Sequence, residues 1–178
     1  AEGFDAIITR LLEARRGRGI DDVTTRLMHD RVDGRPLEHA EIVSILRNWT
    51  AGDLSSLAAC VGVIVHHLAT DVALQGHLRQ LVAADRVRDF EDAVEEILRI
   101  DDPFVSNRRV TTRDVVVGDE QIAAGTRVVL NWTAANRDPE AFPDPDAFNP
   151  AQHAEANLVF GIGPHICPGR ALTLMELP

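Results

Sequence analysis

The sequence predicts a mainly α-helical protein that carries small antiparallel β-sheets. Three observations lead there. Near the start, apolar residues recur at spacings of three and four, at Phe4, Ile7, Ile8, Leu11 and Leu12, the pattern of one helix face. From Leu37 to Ala69 there is no proline, so nothing interrupts a helix of roughly 48 Å. Between Val115 and Leu130, β-branched runs are bounded by Gly118 and Gly125 and read as short strands joined by turns.

Composition bounds the rest. A chain of 178 residues that is 45% hydrophobic is long enough and apolar enough for one folded domain, expected over residues 1–178. Its net charge is −10, and all 18 basic residues are arginine. That acidic balance argues against nucleic acid or an anionic membrane as partner. The two cysteines, Cys60 and Cys167, make no disulfide framework, which fits a reducing compartment. No signal-peptide pattern is read. The longest apolar run, Leu57 to Val65, is well short of the roughly 20 residues that span a bilayer. The expected location is the cytoplasm.

Taken in order, Phe4 to Arg16 is the first helix, and Arg15 to Gly19 a polar loop. Asp22 to His29 predicts a short helix, ended by a turn at Asp33-Gly34-Arg35-Pro36. In the long helix that follows, Gly52 and Gly62 are the weak points. Gly52 leaves room for a ligand to approach. Ser55 or Ser56 can bond back to a carbonyl one turn earlier and kink the helix locally. His66 and His67 are adjacent, so they do not share a face and make a poor chelate; they suit the helix C-terminus electrostatically. Cys60 lies in an apolar run and reads as a small core residue. Helices are then expected over Asp71 to Ala84 and Asp89 to Arg99. On the latter, Glu96 and Arg99 form an i,i+3 pair. Pro103 to Trp132 has a β pattern, and the Pro/Asp-rich stretch to Pro150 reads as irregular.

The most informative segment is Phe160-Gly161-Ile162-Gly163-Pro164-His165-Ile166-Cys167-Pro168-Gly169. It sets one cysteine after a glycine-punctuated loop and just ahead of a helical run, Arg170 to Leu177. A thiolate near the first turn of a helix meets unpaired N–H groups and the positive end of the dipole. Gly161 and Gly163 can take backbone angles that let the loop fold tightly and aim N–H groups at the sulfur. Gly169 allows a flat cofactor to lie close to the backbone. His165-x-Cys167 also has the form of half a zinc site, but no second Cys/His pair is spaced to complete a tetrahedral shell.

Phe160-Gly161-x-Gly163-x-His165-x-Cys167-x-Gly169 resembles the haem-binding loop of the cytochrome P450 family, bacterial type. The resemblance covers nearly the whole chain and corresponds to about the C-terminal half of the family. It implies a partial cytochrome P450 fold, a single domain over 1–178 that is the C-terminal haem-binding portion, the N-terminal half being absent. Cys167 is then the axial ligand to the iron of haem b (iron protoporphyrin IX). Phe160, Gly161, Gly163, His165 and Gly169 line the cofactor, with His165 and Arg109 directed to its propionates. Trp49 to Ser56 resembles the family's distal helix motif, Ala-Gly-x-acid-Thr, which lies over the iron. Ala51 and Gly52 match it as cofactor-binding positions. Ser55 stands where the family has Thr and Leu54 where it has an acid, so Ser55 and Asp53 are the candidates for proton handling. Glu96 and Arg99 resemble the Glu-x-x-Arg pair beneath the haem loop. The third member of that network, an Arg in the family, falls by spacing on Gln152, which can hydrogen bond but offers no charged fork; His153, one residue out of register, is the candidate to compensate. Leu174 also replaces an Arg of bacterial members.

The activity implied is haem-thiolate monooxygenation of a small organic substrate, using O2 and electrons from a ferredoxin-type or other electron-donor protein docked beside the Cys167 loop. An uncovered distal helix would expose apolar surface through which copies could associate. Leu54 and Gln152 leave two alternatives open within the family: a truncated or degenerate haem-binding fragment without turnover, and a peroxide-driven haem-thiolate enzyme. Outside it, a redox-active or nucleophilic Cys167 without haem is the third reading.

Overall fold

The computed structural model describes residues 2–177. They divide into two compact units, with the division between Ser56 and Leu57. The order of elements follows the expectation of helices with small antiparallel sheets.

The first unit holds α1 (Glu2–Glu13), α2 (Val23–His29), β1 (Arg31–Val32), β2 (Arg35–Pro36) and the first part of α3 (His39–Thr70). Asp22 starts α2 by accepting the Thr25 N–H at 2.8 Å, satisfying one of the donors a helix leaves free at its start. The chain then reverses over two residues, not four. Asp33 and Gly34 both have positive φ, 52° and 79°, as a two-residue hairpin turn of type I′ requires. Arg35 and Pro36, expected in the turn, instead pair with Val32 and Arg31. In a two-stranded ribbon every strand is an edge, so the N–H that proline lacks is not missed. Ile8, Leu12, Ile42 and Val43 form the buried core of this unit. Arg47 grips Asp5 with two parallel bonds of 2.6 and 2.7 Å, tying α3 to α1.

The second unit continues α3 and adds α4 (Val72–Ala83), α5 (Val87–Ile100), β3 (Ser106–Val110), β4 (Val115–Val117), β5 (Glu120–Ile122), β6 (Arg127–Asn131), α6 (Trp132–Ala135), α7 (Pro150–His153) and α8 (Arg170–Glu176). Cys60 and Ile64 of α3, Leu74, Leu78 and Leu81 of α4, and Ala93, Val94, Ile97 and Leu98 of α5 make one buried cluster. β3 and β6 pair antiparallel from Ser106 opposite Asn131 to Val110 opposite Arg127. β4 and β5 form a hairpin turned by Gly118 at φ 58°. Trp132, expected to close a strand, opens a helical turn. The Asn131 side chain caps that turn by accepting from the Ala134 N–H at 3.0 Å, and this local bond ends the ladder.

By length and composition α3 is the one helix among the described residues long and apolar enough to cross a membrane. The sequence reading missed this because it counted an unbroken apolar run. The helix averages over scattered polar residues and leaves Trp49, Leu54, Val61 and Val65 exposed.

Beneath these elements lies a buried polar network centred on α5. Arg99, with none of its surface exposed, donates to both Glu96 carboxylate oxygens at 2.7 and 2.9 Å. It also donates to the carbonyls of Asn136 (2.7 Å), Pro145 (2.9 Å) and Ala147 (3.3 Å). The third residue of the network is His153. Its Nδ1 meets Glu96 Oε1 at 2.7 Å and its Nε2 the Pro143 carbonyl at 3.1 Å. Gln152, placed there by spacing, is exposed and its Oε1 accepts from Asn149 Nδ2. One helical position turns a side chain by about 100°, so in the single turn of α7 only His153 reaches inward. The ring of Phe142 closes the cluster, 4.9 Å from the Arg99 guanidinium and 5.5 Å from the His153 ring.

Burial alone would raise the Glu96 carboxyl, but bonds from Arg99, the Asn149 N–H and His153 outweigh it and hold it below the ordinary glutamate value. Its contribution to stability is therefore full above the ordinary value and is lost as pH falls through the folded one. Glu96→Gln strands a buried guanidinium and should cost about 3–5 kcal/mol in urea unfolding. The acid limb of the stability curve should be shallower in this variant than in the wild-type chain. An unchanged unfolding midpoint would show that the network does not hold the unit together.

Candidate functional site

The loop that carries Cys167 is fixed at its entry before it turns. Asn136, fully buried, accepts the Leu158 N–H on Oδ1 at 2.8 Å. Asn157 donates from Nδ2 to the Glu95 carbonyl at 3.1 Å. From there the backbone closes on itself. The Gly161 N–H reaches Leu158 O (2.8 Å), the Ile166 N–H reaches Gly163 O (3.0 Å), and the Cys167 N–H reaches Phe160 O (2.8 Å). Two glycines make this possible: Gly161 and Gly163 have φ of 73° and 72°, the left-handed region that other residues rarely enter. A short 3-10 turn, Gly163–His165, separates them from the cysteine. Phe160, Gly161, Gly163, His165, Cys167 and Gly169 all lie on this one closed loop.

The Cys167 side chain is half-buried. A Cβ at Gly169 would sit 3.7 Å from its Sγ, in van der Waals contact, so glycine keeps that side of the sulfur clear. Ile162 and Ile166 expose 69% and 51% of their surface nearby in the chain. Among the described residues no three His, Cys, Asp or Glu side chains converge in a way that could hold a metal ion. Among the described residues, Cys167 and His165 thus have no further donors converging to complete a zinc shell. A single sulfur on a glycine loop with an apolar margin is the donor set of a thiolate-ligated haem, and the residues fit that group.

The remaining candidates are placed as follows. Arg109 lies exposed on β3, its Nη1 donating to the Arg108 carbonyl at 2.9 Å. His165 is exposed on the 3-10 turn. Ala51, Gly52, Asp53 and Ser55 lie on α3 within the first unit. There the Ser55 hydroxyl bonds back to the Ala51 carbonyl at 2.8 Å and approaches that of Gly52 at 3.3 Å, the bond expected from the sequence. Leu54 is exposed. Sequence reasoning assigned no role to Glu95 or Arg170, which form an ion pair between α5 and α8. The only signal was two consecutive glutamates on a helix face otherwise committed to the core.

The two thiols differ in kind. Cys60 retains 3% of its surface exposed, and burial, with Asp102 and Cys167 adding to it, pushes its pKa up to about 11. At neutral pH iodoacetamide should therefore label Cys167 while leaving Cys60 unmodified. Mass spectrometry of tryptic peptides from the native chain reads the ratio, and equal labelling would refute the buried placement of Cys60.

Comparison with known proteins agrees with this geometry. A sequence model of the family "Cytochrome P450" matches residues 90–178. Cyclomarin C epoxidase CymV of Salinispora arenicola is 37% identical over 166 residues, 92% of this chain and 40% of that protein. Beta-dihydromenaquinone-9 omega-hydroxylase of Mycobacterium tuberculosis is 45% identical over 84 residues, 47% of this chain and 17% of that protein. The solved structure of cytochrome P450 CYP109Q5 from Chondromyces apiculatus superposes with a TM-score of 0.74 at 33% identity, covering 99% of this chain and 44% of that one. The chain spans less than half the length of each of these proteins. With its fold matched to solved P450 structures over nearly all its residues, this chain belongs to the cytochrome P450 family.

Proposed function

We propose that residues 1–178 form the C-terminal haem-binding portion of a haem-thiolate monooxygenase, in which the Cys167 sulfur would hold haem b. One observation carries the reading: the Cys167 sulfur stands at the end of a glycine-turned loop whose Gly169 side is kept clear. Bound through a thiolate, haem supplies the redox chemistry that divides dioxygen between an organic substrate and water, using two electrons and two protons. The names of two relatives, an epoxidase and a hydroxylase, support that class of reaction.

The chain's own residues have separate tasks in this reading. Cys167 would hold the iron as thiolate, and Phe160, Gly161, Gly163 and Gly169 would shape the loop that receives the cofactor. Arg109, with a planar fork of fixed charge, suits a propionate carboxylate, and His165 can donate to the other. Ala51 and Gly52 leave space beside α3. Ser55 and Asp53 handle protons. The Ser55 hydrogen is committed to the Ala51 carbonyl, so the hydroxyl presents lone pairs and holds a water as acceptor. Leu54, an aliphatic residue, relays nothing. That departure favours a second reading, peroxide-driven turnover, because peroxide brings its own electrons and protons. The substrate is a small organic molecule, and the electron donor is a ferredoxin-type or other small redox protein. The acidic charge suits a cytoplasmic protein and disfavours nucleic acid and anionic membrane as partners, and the exposed apolar residues of α3 offer a surface through which copies could associate.

Reconstitution of the full chain with haem, followed by the carbon monoxide difference spectrum of the reduced protein, tests the reading. The wild-type chain should give the thiolate-type band and Cys167→Ala should not. Uptake of haem by Cys167→Ala with an unaltered spectrum would overturn it. Turnover with dioxygen and a donor protein, against turnover with peroxide alone, separates the two modes.

A further inference from the structure

We propose that Glu95 and Arg170 form a clamp that positions the Cys167 sulfur by fastening both ends of its loop to one buried helix. The haem consequence rests on the reading of Cys167 given above; the clamp itself is a property of the haem-free chain.

Arg170 opens α8, three residues beyond Cys167. Its Nε and Nη2 both donate to Glu95 Oε1, at 2.9 and 2.5 Å. Its guanidinium also lies 5.7 Å from the centre of the Phe160 ring, within reach of a cation–π contact. Phe160 begins the loop, and its carbonyl takes the Cys167 N–H. One side chain therefore touches the residue that enters the loop and belongs to the segment that leaves it. Glu95 acts from both sides as well. Its carboxylate holds Arg170, and its carbonyl holds Asn157, three residues before Phe160. Glu95 is 8% exposed, and a buried carboxylate is costly unless it is paired. Burial pushes its carboxyl up while Arg170 opposes the shift, so the acid is held at a cost that an apolar residue on α5 would avoid. The loop's internal bonds fix its shape. The clamp fixes where that shape sits on α5, and so where the sulfur points.

Glu95 and Arg170 are positioning residues, and the test reads position. Glu95→Gln, Arg170→Gln and the double variant are prepared in the full chain. In the haem-free protein, amide hydrogen exchange of residues 160–173 should accelerate severalfold in each single variant, with α4 and α5 unchanged. The double variant should be no faster than the singles, since one interaction is removed in all three. After haem uptake, the fraction of reduced carbon monoxide complex with the thiolate-type band should fall in every variant. Exchange at wild-type rates in both singles overturns the proposal. So does acceleration spread equally over α4 and α5, which marks general loosening, and so does an unchanged thiolate fraction. Should wild-type protein take up no haem, the haem reading fails while the exchange data still decide the clamp.

Discussion

The second unit depends on the complete burial of one guanidinium. Arg99 keeps its charge under all conditions a folded protein meets, so placing it out of water is tolerable only if its donors are met. They are met by the Glu96 carboxylate and three carbonyls from the irregular chain between α6 and α7. Those carbonyls belong to a segment with almost no regular hydrogen bonding of its own. The guanidinium thus supplies, from a helix, the donors that a sheet would otherwise have supplied. A stretch rich in proline and aspartate acquires a fixed path in this way, and the Asn136 side chain on that path receives the first N–H of the cysteine loop's approach.

α5 divides its labour between neighbouring glutamates. Glu96 faces the network and is held low by three donors in spite of burial. Glu95 faces the cysteine loop with one arginine against it, and burial prevails so that its carboxyl is raised. The two therefore contribute to the pH dependence of stability with opposite signs. Ionised Glu96 favours the folded chain above the ordinary glutamate range, whereas the raised group costs stability as pH climbs through its folded value. Adjacent residues of one helix point about 100° apart. That angle lets a single buried helix address both the meandering segment and the loop.

Much of this was legible in the residues. Apolar spacing and the absence of breakers located α1, α3, α4 and α5, and the glycine-bounded valine runs located the β4–β5 hairpin. The cysteine loop was legible because its chemistry demands glycine at fixed places, and Gly161 and Gly163 take the left-handed angles that justify them. Errors came where a side chain decides the backbone locally. Asn131 capping turned Trp132 from strand to helix, and Asp33-Gly34 completed a reversal that seemed to need four residues. Gln152 was misplaced because register was counted along the chain, whereas the single turn of α7 presents His153 inward, the compensation its neighbouring position allowed. The Glu95–Arg170 pair spans 75 positions, and no pattern of period two or 3.6 reports a contact at that range.

The departures at Gln152 and Leu54 do not weigh equally. Gln152 stands where a charged donor is expected, and the neighbouring His153 restores the bond to Glu96 at 2.7 Å in full burial. The scaffold beneath the cysteine loop is therefore intact in physical terms although its sequence differs. Leu54 has no such substitute. Its neighbours Asp53 and Ser55 lie on other faces of the helix, and the Ser55 hydroxyl already spends its hydrogen on the Ala51 carbonyl. A helix turn satisfied wholly by its own backbone imposes no acid at that position. In the proposed reading, holding the cofactor and handling protons are assigned to different residues. The Cys167 loop rests on a scaffold with many buried polar contacts, whereas proton handling is proposed for Ser55 and Asp53 alone. The presentation of the Cys167 loop is set by α5, through the Glu95 carboxylate on Arg170 and the Glu95 carbonyl on Asn157.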